Sequence, residues 1–588
     1  MKLSIGNKNL LRSLQLLYYL SECGVENVII SPGSRSAPLV IAANELVKRG
    51  LFKLYNSVDE RSAGFHALGI SIASDKPTVV ITTSGTAVAN LLPSAVEADK
   101  SCISVIYISA DRPLRLKNCG ANQTVEQEKF LSPVCRFTER TRLEGLHLST
   151  EFELKNLTEK IRKVCTYNRG PIHLNISIEK PLILNINERK KAIKEFSDNY
   201  LYKRDNKIQK TFNQNILFDF KIFSDFNLSE TGIIIIGPYR GLNKNLIKFN
   251  NSLKIIQEFS GWPVFADPLS GVDKDLKGLI DNWELIIEKK TFKIDCEQIL
   301  RLGPMSSSNS LEKFLGDFSG QQFLIKENDS RVLDPLRKSF EYEYGLTNFV
   351  DQILTSKNNQ PISKRNLTQL AKELLFEGER IEKILKKQFI NTGNINECSL
   401  AYFIPKIWPK KYPIMLSASS PIRDWLAYSG NDALSRRCFS FRGASGIDGT
   451  LSMALGISRI LNPLLLVTGD LSFLHDTNGW LIENAKQLNL TILLIDNNGG
   501  NIFNRLYKNQ LNDEEIKKLF VMPKNVDFKK LAEANNIIFR DVSNLYELEE
   551  FFEWSLPISK PVILRFKVNN FSKIDERSTL LNKIYQDH

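Results

Sequence analysis

The stretch that decides the fold is LLLVTGDLSFLHD (Leu464–Asp476), read together with NLTILLIDNNGGNIF (Asn489–Phe503). Each begins as a short apolar run of strand length and stops at turn residues. In the first the stop is Gly469-Asp470; in the second it is Asp496-Asn497-Asn498-Gly499-Gly500. Asn497 follows Asp470 by 27 positions, about one helix plus one strand. Two adjacent parallel strands at that spacing present both groups at one carboxyl edge, where open α/β sheets bind ligands. An Asp carboxylate, an Asn amide oxygen and a backbone carbonyl are hard oxygen donors. They suit Mg²⁺, which takes octahedral oxygen coordination and shares its sphere with phosphates. Gly469 is expected to let the chain turn sharply beside a phosphate, and Gly499 to leave its carbonyl facing the metal. Either dipeptide alone would be ordinary turn chemistry at a strand end.

Working outward, the same alternation fills the chain. In the last third YPIMLS, CFSF and PVILRFKV are strand-like and Thr450–Leu461 is helical. GIIIIGPY (Gly232–Tyr239), EQILRLG and QQFLIKEN mark a second region. Nearer the amino terminus NVII (Asn27–Ile30), LFKLYNS, TVVIT and SVIYIS alternate with helical segments such as Glu60–Ser74. Short apolar strands separated by helices predict buried parallel sheets covered on both faces. The expected architecture is three α/β domains: residues 1–185, a charged linker 186–215, a middle domain 216–362, and a last domain 363–588 that repeats the pattern of the first.

The bulk numbers exclude several classes. A chain of 588 residues is too long for one core and fits about three domains. The opening MKLSIGNKNLLRSLQ is no signal peptide, and no apolar run reaches the ~20 residues of a membrane span, so the chain reads as soluble and cytoplasmic. The net charge of +12 is scattered, without the basic, aromatic-interleaved stripe of a nucleic-acid binder. Eight cysteines show no CxxC pair and read as reduced thiols. With five histidines in the whole chain, acid–base chemistry is expected to come from a cofactor.

The GD…NN pair resembles the signature of the thiamine-diphosphate enzyme superfamily. That resemblance implies a thiamine-diphosphate-binding fold, with pyrimidine and diphosphate domains flanking the middle one. It implies that Asp470, Asn497 and the Gly499 carbonyl hold Mg²⁺, or Mn²⁺ in its place, against the cofactor diphosphate, with Gly469 beside it. Ile447, in RGASGIDG, matches the bulky residue that bends the cofactor. Glu60, in VDERSAGFHALGIS, matches the acid that activates the cofactor through its aminopyrimidine, with Asp59 as helix cap. The superfamily builds its sites between subunits, which implies a homodimer or homotetramer.

Further segments narrow the resemblance. SPGSRSAPL (Ser31–Leu39), TTSGTAVANLLPSAVEA (Thr82–Ala98), SADRPLRLKNCGANQTVEQ (Ser109–Gln127) and FRGASGIDGTLSMALG (Phe441–Gly456) are similar to the branch serving menaquinone and phylloquinone synthesis. Those enzymes decarboxylate 2-oxoglutarate and add the product to isochorismate. The substrates carry carboxylates, which planar guanidinium forks bind bidentately. The matching positions are Arg35, Arg112, Arg423 and Arg442, with Ser34, Asn122 and Gln123 as polar partners and Ile502, Phe503 and Leu506 as an apolar wall. Two other readings stay open at this point: another thiamine-diphosphate 2-oxo-acid decarboxylase or acetolactate-type synthase, and a non-catalytic Mg²⁺–diphosphate-binding regulator.

Overall fold

The structure is a computed structural model that describes residues 3–200, 226–289, 293–356, 363–392, 395–507, 510–568 and 573–586. Among these described residues the strands form three sheets in which every strand pairing is parallel. The first contains β1 (Asn27–Ser31), β2 (Lys53–Asn56), β3 (Thr78–Thr82), β4 (Val105–Asp111), β5 (Phe137–Arg140) and β6 (Ile172–Ser177) in the order β2-β1-β3-β4-β6-β5. The second contains β7 (Gly232–Ile236), β8 (Val264–Ala266), β9 (Gln298–Leu302), β10 (Gln321–Ile325) and β11 (Ser339–Tyr342), in the order β11-β10-β9-β7-β8. The third contains β12 (Ile414–Leu416), β13 (Cys438–Ser440), β14 (Leu464–Gly469), β15 (Leu490–Asp496), β16 (Ile538–Val542) and β17 (Val562–Lys567), ordered β13-β12-β14-β15-β17-β16. Strand for strand, the first and third sheets have the same order. Among their central strands β3, β4 and β15 are buried along their whole length, which is why they read as largely apolar runs rather than alternating ones.

The chain packs as two compact units. One is Met1–Phe218 with Asp448–Ile460 and Asp476–Ala485; the other is Asp219–Ile447, Leu461–His475 and Lys486–His588. In the second unit the middle and last sheets share one apolar core, in which Ile233, Phe265 and Ile299 belong to the same cluster as Ile414, Leu465 and Leu493.

In the first unit, residues 186–200 of the expected linker are instead a helix, Ile186–Tyr200. Its Ala192 and Phe196 are completely buried, and Phe196 stacks on Tyr200 at 5.1 Å and meets Tyr18 edge-on at 5.8 Å. The many lysines and acids there conceal an apolar stripe at Ala192, Phe196 and Tyr200, one helical turn apart each time. The rest of that linker, 201–215, lies outside the described residues, as do the expected edges of the middle domain at 216 and 362.

The second departure concerns Asp448–Ile460 and Asp476–Ala485. Sequence order puts them in the last domain, yet they pack with the first unit. The Thr450–Ser458 helix lies against the Glu60–Ser74 helix, and a small-residue contact lets the backbones meet. A Cβ on Gly69 would collide with the Met453 carbonyl oxygen, and one on Gly456 with the His66 carbonyl oxygen. Fully buried Asp476 accepts from Ser452 N at 2.6 Å and Ser62 Oγ at 3.3 Å, and its carboxyl is pushed up to about 6 by burial. His66 faces the Ser452 carbonyl through Nδ1 at 3.2 Å and Arg459 Nε through Nε2 at 2.7 Å. Burial and the Arg459 charge keep that imidazole neutral.

Gly69→Val is therefore expected to force the two helices apart and destabilise the protein by at least ~1–3 kcal/mol. Gly316→Ala is the control: it sits in a helix, and its new Cβ would meet only Leu336, at 4.0 Å. It should be neutral or stabilising by about 0.5–1 kcal/mol. Urea denaturation of both variants checks the contrast, and equal midpoints would contradict the close-packing account.

Candidate cofactor and substrate site

In the third sheet β12 and β14 are neighbours while β13 lies outside β12, so strand order reverses between them and leaves a crevice at their carboxyl ends. Three loops converge on it. The chain leaves β12 through Ala418 and Ser419, the latter at φ +76°, and enters the Ser420–Tyr428 helix. It leaves β14 directly into the helix Asp470–His475, and β15 into the Asn497–Asn501 loop. In the β14–β15 register Gly469 lies opposite Ile495, so the two motif loops are side by side.

They are also bonded to each other. Asp470 Oδ2 accepts from Gly499 N at 2.7 Å, and its Oδ1 from Leu471 N at 2.7 Å. Asp470 is 4% exposed, and burial pushes its carboxyl up to about 6 while the backbone N–H groups pull the other way. Among the described residues no cationic side chain pairs with it. Asn497 donates through Nδ2 to Glu397 Oε1 at 2.7 Å, and its Oδ1 is buried. Asp470, Asn497 and Gly499 all line one cavity of ≈ 350 Å³, together with Ser419, Ser420 and Ile447. Among the described residues no cluster of three His, Cys, Asp or Glu side chains offers a competing metal centre. A buried carboxylate lacking a cation, an amide oxygen and loop carbonyls form an oxygen-only donor set, which fits a hard divalent ion beside a phosphate.

The two motif glycines work differently from each other. Gly499 has φ +124°, and an added Cβ would strike the Val521 carbonyl oxygen, so both conformation and space demand glycine. Its own carbonyl accepts from Asn501 N at 2.9 Å, which leaves its second lone pair for a cation. Gly469 stands where the chain turns from β14 straight into the Asp470–His475 helix, and it does so without a left-handed backbone. It is the last residue of β14, its φ is outside the left-handed region, and a Cβ there would meet nothing within 4 Å. Glycine at this point leaves room on the cavity wall.

The apolar wall is formed in part as expected. Ile502 and Phe503 line the cavity; Leu506, one helical turn further on, is 46% exposed and off the wall. Arg423 is not on the wall either: its Nη1 donates to the Ser419 carbonyl at 2.9 Å, bracing that turn, while Pro421 and Asp424 face the cavity. Arg442 Nη1 donates to Ser445 Oγ at 3.0 Å, and its carbonyl accepts from Arg240 Nη2 at 2.6 Å.

The first unit gathers the other expected residues at the carboxyl edge of its own sheet. Arg35, 7% exposed, donates to the Ile178 carbonyl at 2.7 Å, and its buried Nε has no partner among the described residues. Arg112, 9% exposed, reaches Ser84 Oγ and, at 3.3 Å, Gln123 Oε1. Burial lowers both guanidinium pKa values, and the Arg112 charge lowers that of Arg35 further. Asp111 and Glu179 offset part of this, but neither guanidinium forms a salt bridge among the described residues, an arrangement suited to an anion. Ser34, Asn122 and Gln123 are exposed beside them. Glu60 is half-buried at the start of its helix, where Asn90 Nδ2 donates to its Oε2 at 3.3 Å. Asp59 caps that helix as expected, accepting from Arg61 N and Ser62 N.

Sequence reasoning missed Ser84, Asn90, Gln127, Ser419 and Glu397. Gln127 is fully buried and ties three strand ends together, accepting from Gly85 N at 3.0 Å and donating to the Ala110 carbonyl and to Asn175 Oδ1. It closes the quoted NQTVEQ segment, which was the available signal. The two serines and Asn90 carry none, because such residues after a strand are ordinary loop chemistry.

Comparison with known proteins shows the family. Residues 13–130 match the thiamine pyrophosphate enzyme N-terminal TPP binding domain, and residues 425–566 match the corresponding C-terminal TPP binding domain. The 2-succinyl-5-enolpyruvyl-6-hydroxy-3-cyclohexene-1-carboxylate synthase of Prochlorococcus marinus strain MIT 9515 is 57% identical over 99% of this chain and 99% of its own. Its counterpart in strain NATL2A is 43% identical, covering 97% and 96%. Among solved structures, the thiamine diphosphate-dependent 4-hydroxybenzoylformate decarboxylase of Rhodococcus jostii RHA1 shares the fold, with a TM-score of 0.65 at 12% identity, over 95% of this chain and 99% of its own. The chain belongs to the 2-succinyl-5-enolpyruvyl-6-hydroxy-3-cyclohexene-1-carboxylate synthase family of thiamine pyrophosphate enzymes.

Proposed function

We propose that this enzyme decarboxylates 2-oxoglutarate and joins the remaining succinyl unit to isochorismate by 1,4-addition, giving 2-succinyl-5-enolpyruvyl-6-hydroxy-3-cyclohexene-1-carboxylate. The reading places it in the cytoplasm, in menaquinone or phylloquinone synthesis. The observation that carries it is the direct bond between the Asp470 and Asn497 loops, which line one cavity. Thiamine diphosphate, when bound, supplies the electron sink for decarboxylation and carbanion transfer, which no side chain here offers. Asp470, Asn497 and the Gly499 carbonyl would hold Mg²⁺ or Mn²⁺, and Ser419 and Ser420, at a helix start, would meet the diphosphate. Ile447 supports the cofactor from the cavity wall, and Glu60 holds a proton against its pyrimidine ring.

Arg35 and Arg112, with Ser34, Asn122 and Gln123, bind substrate carboxylates, and Arg442 carries a further cation on the Phe441–Ile447 loop. Arg423 contributes by bracing the Ser419 turn. Ile502 and Phe503 keep water from the reacting carbon, with Leu506 at the outer end of their helix. A simple 2-oxo-acid decarboxylase has less use for two buried guanidiniums lacking carboxylate partners, and a non-catalytic regulator has none for Glu60. We read the assembly as a homodimer or homotetramer in which Glu60 of one copy serves the Asp470 site of another.

Three outcomes are expected. Glu60→Gln should reduce kcat by at least about 100-fold with thermal stability retained, as for loss of a positioned proton donor; near-normal turnover would refute the role. Co-expressed E60Q and D470A chains, each inactive alone, should regain a measurable fraction of activity if sites are shared between copies, and none if each chain builds its own. Gly499→Ala should abolish Mg²⁺-dependent cofactor binding in calorimetry, because strain and the Val521 carbonyl both displace the loop; unchanged affinity would count against the metal loop.

A further inference from the structure

We propose that Glu397 is a positioning residue for the cation site, fixing Asn497 so that its amide oxygen rather than its nitrogen faces the ion. The inference rests on the metal-binding reading of Asp470 and Asn497 given above. Glu397 opens the helix Glu397–Ile407, 100 positions before Asn497, and lines the same cavity as Asp470 and Asn497. Its Oε1 accepts from Asn497 Nδ2 at 2.7 Å.

The two ends of an Asn amide have nearly the same size and shape, so only their hydrogen-bond partners decide which end points where. An ionised carboxylate can only accept. It pairs with Nδ2 and leaves Oδ1 on the opposite side of the group, as an acceptor-only partner must. A flipped amide would aim two N–H donors at a divalent cation. Glu397 thus does for an amide ligand what outer carboxylates do for ligating imidazoles: it sets the orientation before the ion arrives. The partnership also explains why a half-buried acid stands at the wall of a cavity meant for a diphosphate. Its Oε1 is held by the Asn497 amide.

The test is calorimetric titration with thiamine diphosphate, with and without Mg²⁺, on four proteins: wild type, E397Q, N497D and the double variant. In E397Q the glutamine can donate or accept, so it no longer selects the orientation. Mg²⁺-dependent affinity should fall about 10- to 100-fold, with the melting temperature of the cofactor-free protein unchanged. In the N497D background the effect should reverse. The introduced carboxylate presents oxygen in either orientation but repels Glu397, whereas a glutamine at that position donates to it. The double variant should therefore bind more tightly than N497D alone. Wild-type affinity in E397Q overturns the proposal. So does the same loss in both backgrounds, which would mark a direct ligand or a purely structural role, and so does a double variant that binds no better than N497D. Wild-type protein with no Mg²⁺-dependent binding overturns both this inference and the reading beneath it.

Discussion

One contact organises the site: the Asp470 carboxylate accepting the Gly499 N–H at 2.7 Å, across the parallel pairing of β14 and β15. The pairing sets the register, and the register puts a carboxylate and a glycine-rich loop at one carboxyl edge. A carboxylate this deeply buried is costly unless its charge is met. Here backbone N–H groups meet part of it, while burial raises the carboxyl's pKa against them. The remainder is what a divalent ion would satisfy. The same arrangement that weakens the cofactor-free protein therefore prepares it to bind.

The glycines around this contact show how space, as well as charge, was arranged. Gly499 is required by its own backbone and by the Val521 carbonyl behind it, while Gly469 has nothing in front of it at all. The first fixes a loop and the second keeps a wall clear. Gly69 and Gly456 serve a third purpose, letting two helix backbones touch where any side chain would hold them apart. Around that close contact Asp476, Ser452, Ser62 and His66 form a buried polar network whose members are bonded to one another. The helix that begins at Glu60 is held by this network as well as by its cap. Its half-buried first turn is thus anchored by a rigid body, as a proton-holding group needs.

Charge is handled differently in the two units. The first places Arg35 and Arg112 at its sheet edge, both largely buried, with guanidiniums that donate to a carbonyl, a hydroxyl and an amide oxygen while Asp111 lies near. The second concentrates anion and oxygen character through Asp470, Asn497 and Glu397. A net charge of +12 spread over the chain says nothing of this division. It is the burial of particular groups, more than the total, that gives each edge its chemistry.

Local patterns in the amino-acid sequence already carry the three parallel sheets and the adjacency of Asp470 and Asn497. These follow from local rules: strand-length apolar runs, turn residues at their ends, and a spacing of one helix plus one strand between neighbours. Tertiary structure alone decided that residues 186–200 are a packed helix, because a charged segment reveals its apolar stripe only when a core exists to receive it. It also decided that Asp448–Ile460 and Asp476–Ala485 belong to the first unit, since shape fit between small-residue helices has no sequence period. Glu397 and Gln127 became visible for the same reason. A hydrogen bond between groups far apart in the chain leaves no local pattern, and only the folded backbone brings its two ends within reach.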